Sequence, residues 1–246
     1  MSFIPKNLNV ALKGMVLILN PGSWLGFMSH PALFFYNVLG MTRFISESRR
    51  KKLLINDYFT WKRDHNRRYD MYRAVSDAYG LHQAAVDYLE FGVAGANSIK
   101  WWLGENKNAD SRFHGFDTFE GLPEDWDASF KKGAMSFNMP QLDDQRASFY
   151  KGLFQDTLGP FLQTNALVAG RKKIIHLDAD LFSSTLFALS MLSEHMKPGD
   201  IVFFDEFNVP NHEYYALRIF EKTFYREFKL IGAVNNYYQT AFEVVK

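Results

Sequence analysis

The chain has no cysteine among its 246 residues. Disulfides, thiolate nucleophiles and thiolate metal sites are therefore excluded, and any metal must be held by oxygen or imidazole. An excess of either charge is also missing, since 28 basic side chains stand against 27 acidic ones. That balance implies neither an acidic tail nor a polyanionic partner, so nucleic acid is not expected as a ligand. Internal repeats and low-complexity tracts are absent. A long unbroken apolar run is lacking too. Residues 15–19 are apolar but stop at Asn20-Pro21-Gly22, too soon for a secretory signal. Residues 14–29 carry no charge, yet that turn interrupts them, and they fall short of the roughly 20 residues that span a bilayer. A cytoplasmic protein without membrane contact is expected, with this stretch packed on the main domain or on a second subunit.

What the chain has in quantity is apolar and aromatic surface: 47% of residues are hydrophobic and 24 are Phe. This is enough for a sizeable Phe-rich core. Residues 1–63 hold three of the eight prolines and a basic cluster, Arg49-Arg50-Lys51-Lys52. They read as a helical N-terminal appendage, a lid or an oligomer contact, which leaves room for a homo-oligomer. Residues 64–246 read as the main domain.

From Asp64 the pattern is regular. Tyr69, Tyr72, Val75, Ala78 and Tyr79 recur at helical spacing, and Gly80 fits a helix stop. Strands are predicted over 85–91, 112–117, 147–152, 174–178, 201–204, 230–234 and 239–245. Helices are predicted from Ser98 to Leu103, over 158–169, over 183–195 and over 214–228. This alternation predicts an α/β fold, a doubly wound and mostly parallel sheet of seven strands.

The sharpest feature is that two of these apolar strands end abruptly in acid. Ile174-Ile175-His176-Leu177 runs into Asp178-Ala179-Asp180, and Ile201-Val202-Phe203-Phe204 runs into Asp205-Glu206. Ligands of open α/β sheets sit outside the carboxyl ends of the strands, so four carboxylates are delivered to one place. Such a group repels itself unless a positive charge sits within it, and its hard oxygens suit Mg²⁺. His176 shares a strand face with Asp178 and reads as a core histidine or one that supports the acids from behind, and His195 near a helix end reads as structural. Upstream, Glu90-Phe91-Gly92-Val93-Ala94-Gly95 turns a strand into a helix, where glycines permit close approach of a ligand to the backbone. It is not the G-x-G-x-x-G dinucleotide fingerprint, because Ala94 occupies the second glycine position. Asp117, at the end of the next strand, stands where an acid can accept both hydroxyls of a ribose. Glycine turn and acid together suggest a nucleoside-containing ligand.

Five segments in order resemble the macrocin O-methyltransferase family: Tyr88-Leu89-Glu90-Phe91-Gly92-Val93; Gly115-Phe116-Asp117-Thr118-Phe119-Glu120-Gly121-Leu122-Pro123-Glu124; Gly152-Leu153-Phe154-Gln155-Asp156-Thr157-Leu158; Leu177-Asp178-Ala179-Asp180-Leu181-Phe182-Ser183-Ser184-Thr185; and Lys197-Pro198-Gly199-Asp200 ahead of Asp205-Glu206. The resemblance covers residues 64–246. It implies a class I methyltransferase fold that uses S-adenosylmethionine and a divalent metal, usually Mg²⁺, to methylate hydroxyls, notably of sugars. By that match Glu90, Gly92, Val93, Gly95 and Ser98 line the methionine end of the cofactor and Asp117 holds the ribose. Phe154 and Gln155 border the adenine. Asp178, also beside the cofactor, joins Asp205 and Glu206 as metal ligands, and Asp180 is the catalytic base. Two positions depart from the family pattern: Glu206 stands where Asp is usual, and Ala96 where a second Gly is frequent.

The expected partner is thus a small hydroxylated acceptor, with a vicinal diol as the shape that completes chelation. Trp101, Trp102, Trp126 and the loop 124–140 are candidates to shape its pocket, against a plain packing role. Two rival readings stay open. Asp178-Ala179-Asp180 is a D-x-D of the kind that holds a metal under a nucleotide sugar in glycosyltransferases, but this leaves Asp205-Glu206 and the glycine turn without a role. The altered loop and Glu206 also fit a non-catalytic subunit that keeps the fold.

Overall fold

The structure is a computed structural model and describes residues 6–126, 129–164 and 167–246. After three N-terminal helices, α1 (Lys6–Leu19), α2 (Gly22–Leu25) and α3 (Ser29–Ser48), the chain alternates strand and helix. The strands are β1 (Ile55–Asn56), β2 (Val86–Phe91), β3 (Arg112–Asp117), β4 (Ala147–Lys151), β5 (Lys172–Leu177), β6 (Ile201–Phe204), β7 (Phe228–Val234) and β8 (Gln239–Val244). They form one sheet in the order β1-β7-β8-β6-β5-β2-β3-β4. All neighbours are parallel except β6–β8 and β7–β8. The doubly wound sheet with its seven expected strands is present. The extra strand, β1, has only two residues and pairs at the edge with β7, too short for any periodicity to reveal.

The central strands are apolar because both their faces are covered. Every residue of β2 and β6 is buried, as expected where helices flank a parallel sheet. One face packs Phe204, Phe207, Phe220 and Phe242 against Leu177 and Leu189. The other packs Tyr72, Tyr88, Trp102, Phe113 and Phe203. The Phe-rich core is thus real, and each such ring contributes about 1.5–3 kcal/mol by leaving water.

Among the helices, α4 (Arg67–Tyr79) ends at Gly80 with φ +64°, whose N–H bonds back to Asp77 and Ser76, the left-handed cap that the sequence suggested. α5 (Asn97–Glu105), α7 (Phe182–Leu192) and α8 (Tyr215–Phe224) lie close to their predicted places. α6 differs, running over Phe154–Gln163 and beginning four residues before the predicted 158. The apolar spacing predicted the body of this helix and could not show that Phe154 already belongs to its first turn. Residues 165 and 166 of the predicted 158–169 helix lie outside the described residues. The predicted 197–200 turn holds Asp200 buried, where it accepts the Lys173 and Lys197 N–H groups at 2.8 Å each. That clamp fixes β6 against β5.

The strand order switches direction at β2. β3 and β4 extend to one side, while β5 and β6 extend to the other. The crevice outside the carboxyl ends of β2, β3, β5 and β6 is therefore where this fold places its ligands.

The expectation that residues 14–29 pack on the main domain is not met, because nearly all of them are exposed. The part of α3 from Asn37 onward meets the domain, chiefly at a distorted turn at Pro210–Tyr214. Apolar composition alone could not tell a buried helix from one left uncovered.

Candidate active site

Gly92 closes β2 with φ +88°, and a Cβ there would lie 1.9 Å from the Asp178 carbonyl oxygen. The two loops touch backbone to backbone, which only glycine permits. The Gly92 N–H donates to Phe116 O and the Asp178 N–H to Phe91 O, both at 2.9 Å. These bonds draw the ends of β2, β3 and β5 to one point. Beyond Gly92 the loop runs through Ala94 (φ +46°) and Ala96 (φ +60°) into α5. Alanine at φ > 0 is uncommon and mildly strained. Asp117 holds the loop there, since its Oδ2 accepts the Val93 and Ala94 N–H groups at 2.7 and 2.9 Å and its Oδ1 accepts that of Phe119 at 2.7 Å. Carboxylate oxygens have further lone pairs, so the acid remains able to take hydroxyl donors.

A cavity of about 550 Å³ opens over this point. Of the sequence-predicted residues, Gly92, Asp117, Phe154, Gln155, Asp178, Asp180 and Glu206 are on its wall. Glu90, Val93, Gly95, Ser98 and Asp205 are not. Glu90 and Ser98 lie beneath the wall, at opposite ends of a buried polar chain. The Ser98 hydroxyl is 3.3 Å from that of Tyr72, which is 3.2 Å from His176 Nε2. His176 Nδ1 is 3.0 Å from the Tyr88 hydroxyl, which donates to Glu90 at 2.9 Å. Burial pushes the Glu90 carboxyl up to about 8, against the Tyr88 hydrogen bond, and burial lowers His176 to about 3. His176 is the core histidine that the sequence suggested.

The four acids lie near enough to feel one another's charge. Asp178 is pushed well above the usual carboxylate range by burial and then by the charges of Asp205 and Asp180. Asp180 has φ +57° at the centre of a three-residue turn closed by Leu181 N–H to Ala179 O. Burial and the Asp205 and Asp117 charges push it up to about 7, while a hydrogen bond with Glu206 opposes the shift. Glu206 rises to about 8 through burial. Its Oε1 accepts the Tyr238 hydroxyl and its N–H donates to Glu213 at 2.8 Å. Glu213, which the sequence reading passed over, is fully buried and raised well above its ordinary value by the same desolvation.

A positive charge does sit within the cluster. Arg68, in the first turn of α4, lies 3.2 Å from Asp205 Oδ1 in an ion pair with both side chains largely buried. Its charge also acts on Asp178, and no motif announced it. The cluster is still under-compensated, because Glu206 Oε2 is buried without a hydrogen-bond partner and Asp205 Oδ1 has the Arg68 ion pair but no hydrogen bond. Hard oxygens whose environment favours neutralisation fit a hard divalent cation in chemistry. Among the described residues, however, no three acids converge on one point as they stand.

The candidate acceptor loop 124–140 does reach the wall, and the residues just before it, which carried no assigned role, join it there. The loop after β3 contributes Thr118, Leu122, Pro123 and Glu124, and its continuation contributes Met135 and Phe137. Residues 127 and 128 of the candidate acceptor loop 124–140 lie outside the described residues. Glu124 accepts a hydrogen bond from Ser183 at 2.6 Å, joining that loop to α7. Trp102 is core, Trp101 packs on Tyr69 and Tyr72, and Trp126 stacks on Phe130.

A family model for macrocin-O-methyltransferase (TylF) matches residues 64–232. The chain belongs to that family. It is an S-adenosylmethionine-dependent O-methyltransferase, and neither the glycosyltransferase reading nor that of a non-catalytic subunit survives. No curated protein matches the chain. Among solved structures it is similar to the calicheamicin methyltransferase CalS11, with a TM-score of 0.58 and 19% identity over 85% of this chain and 91% of that one. It is also similar to the O-methyltransferase NovP, with a TM-score of 0.59 and 18% identity over 74% of this chain and 80% of that one. An apo structure of CalS11, described as a TDP-rhamnose 3′-O-methyltransferase, gives 0.53 and 21% over 85% and 93%. At these identities the likeness is one of fold.

Proposed function

We propose that this chain methylates a hydroxyl of a sugar or of another small polyol-bearing metabolite, with Asp180 as general base and Mg²⁺ bound by Asp178, Asp205 and Glu206. The observation that carries the reading is the position of Asp180. It is held in a strained turn on the cavity wall, two residues from Asp178 and within hydrogen-bond reach of Glu206. Strain of this kind concentrates at working residues.

S-adenosylmethionine supplies an activated sulfonium methyl, so the protein's task is alignment and removal of a proton. We assign Gly92, Asp117, Phe154, Gln155 and Asp178 to the cofactor, with Asp117 on the ribose and the other four around it. Glu90, Val93 and Ser98 act from behind the wall by fixing the loop, and Gly95 is carried in that loop off the wall. Asp180 accepts the acceptor's hydroxyl proton as the acceptor oxygen takes the methyl and the S–CH3 bond breaks, leaving S-adenosylhomocysteine. Bound to the three acids, Mg²⁺ would lower the pKa of a hydroxyl, which otherwise lies far above neutrality. Arg68 would have to yield Asp205 for the cation to enter. A sugar acceptor is supported by the family's description and by the TDP-rhamnose activity of a structural relative. The reading puts the enzyme in the cytoplasm with its cofactor.

The test is a panel of sugars, nucleotide sugars and other vicinal diols incubated with methyl-labelled S-adenosylmethionine, with Mg²⁺ or with chelator. Label should appear on a hydroxyl of a diol only when Mg²⁺ is present. Full transfer in chelator would remove the metal from the account.

A further inference from the structure

The N-terminal helices are fastened at one end and uncovered over the rest. The fastened end is the part of α3 from Asn37 onward. Met41 and Ser48 are buried there, Asn37 donates to Asn211 at 2.9 Å, and Phe44 packs on Phe207, Tyr214 and Phe242. Gly40 admits the Tyr214 hydroxyl so closely that a Cβ would lie 2.8 Å from it. Toward the N-terminus little of the chain is covered. Leu17 is 80% exposed, Ile18 85%, Phe27 77% and Tyr36 71%.

Three features identify what covers this surface. No Asp, Glu, Lys or Arg occurs between Lys13 and Arg43. The apolar residues also surround the helix instead of marking one stripe. Residues 15–19 of α1 are five consecutive apolar side chains, all exposed, and at 3.6 residues per turn they point in every direction. A protein partner covers one face of a helix, whereas hydrocarbon covers all of them. Finally, the segment that follows is basic: Arg49, Arg50, Lys51 and Lys52 are exposed, and Glu47, the only acid in residues 6–52, is already paired with Arg43. That cluster complements anionic headgroups. No single helix among the described residues is long and apolar enough to cross a membrane, but Leu8–Leu19 and Gly22–Ser48 pass together as a pair bent by 50°.

We propose that residues 14–36 dock into a lipid bilayer as a bent helical anchor, with Arg49, Arg50, Lys51 and Lys52 at the headgroups of an anionic leaflet. The anchor is joined to the turn that carries Glu213, the residue holding the backbone of Glu206. The methyltransferase domain is thereby tied to the membrane through the rim of its own site.

The test uses the full chain with vesicles of phosphatidylcholine alone or mixed with phosphatidylglycerol, followed by sedimentation. The wild type should pellet with both and more strongly with the anionic mixture. Leu17→Glu with Ile18→Glu, at exposed positions, should keep the thermal melt and lower the vesicle affinity at least about tenfold, since acids are strongly disfavoured in hydrocarbon. Arg50→Glu with Lys51→Glu should erase only the preference for phosphatidylglycerol. A wild type that stays in the supernatant with both vesicles overturns the proposal. So does a stable dimer in sedimentation equilibrium that the Leu17→Glu, Ile18→Glu pair converts to monomer, because a second copy is then what covers the helices. The readout is binding, so it stands apart from the methyl-transfer reading.

Discussion

A Cβ at Gly92 would meet the Asp178 carbonyl oxygen at 1.9 Å, whereas one at Gly95 would meet only the Asn97 side chain, at 3.9 Å. Gly92→Ala is therefore expected to lower stability by more than about 3 kcal/mol, or to prevent folding, while Gly95→Ala should leave the thermal melt nearly unchanged. The motif named both glycines, but only the contact across to β5 separates a glycine that is required from one that is not. Arg68 illustrates the converse. The electrostatic argument from sequence demanded a cation among the acids, and no local pattern could say that α4 supplies one. Arg68→Met would leave Asp205 buried without its counter-charge, at a cost of about 3–5 kcal/mol. If Arg68 and Mg²⁺ compete for Asp205, added Mg²⁺ should raise the melting temperature of this variant more than that of the wild type. Equal responses would contradict the competition.

The elements around the site are coupled by the buried chain from Ser98 through Tyr72, His176 and Tyr88 to Glu90, which links α5, α4, β5 and β2. Tyr72→Phe removes its centre and leaves Ser98 and His176 each short of a partner, so unfolding should be easier by about 1–3 kcal/mol. Denaturant titration measures this. The same chain predicts a pH dependence. Glu90 is raised in the folded state to about 8 from an ordinary 4.5, so folding favours its protonated form. Its contribution is fully present below the unfolded value and is lost as pH rises toward about 8. Between those limits the cofactor-free wild type should lose thermal stability faster than Glu90→Gln, and parallel curves would show that Glu90 is charged in the fold. The periodicities gave β2, β5, β6 and α4 clearly, because each is long and apolar where it is buried. They placed the start of α6 late and missed β1, whose two residues join the sheet only by pairing with β7.

For the whole molecule, the acid-ended strands were informative because the sheet brings their ends together. β5 and β6 are neighbours in register, Leu177 beside Phe204, so Asp178 and Asp205 follow at the same edge. Gly92 and Asp117 reach that edge from β2 and β3. The cavity wall beyond them comes from loops of no regular pattern, so the loop 124–140 could be named from the sequence but not that Met135 and Phe137 are its wall residues. The account turns on Asp180 as the group that takes the acceptor's proton. The most direct measurement is methyl transfer by Asp180→Asn beside the wild type, with S-adenosylmethionine affinity determined by calorimetry on the same preparations. The account predicts a fall in kcat of at least about 10²-fold with cofactor affinity retained. Turnover by the variant at the wild-type rate would contradict it.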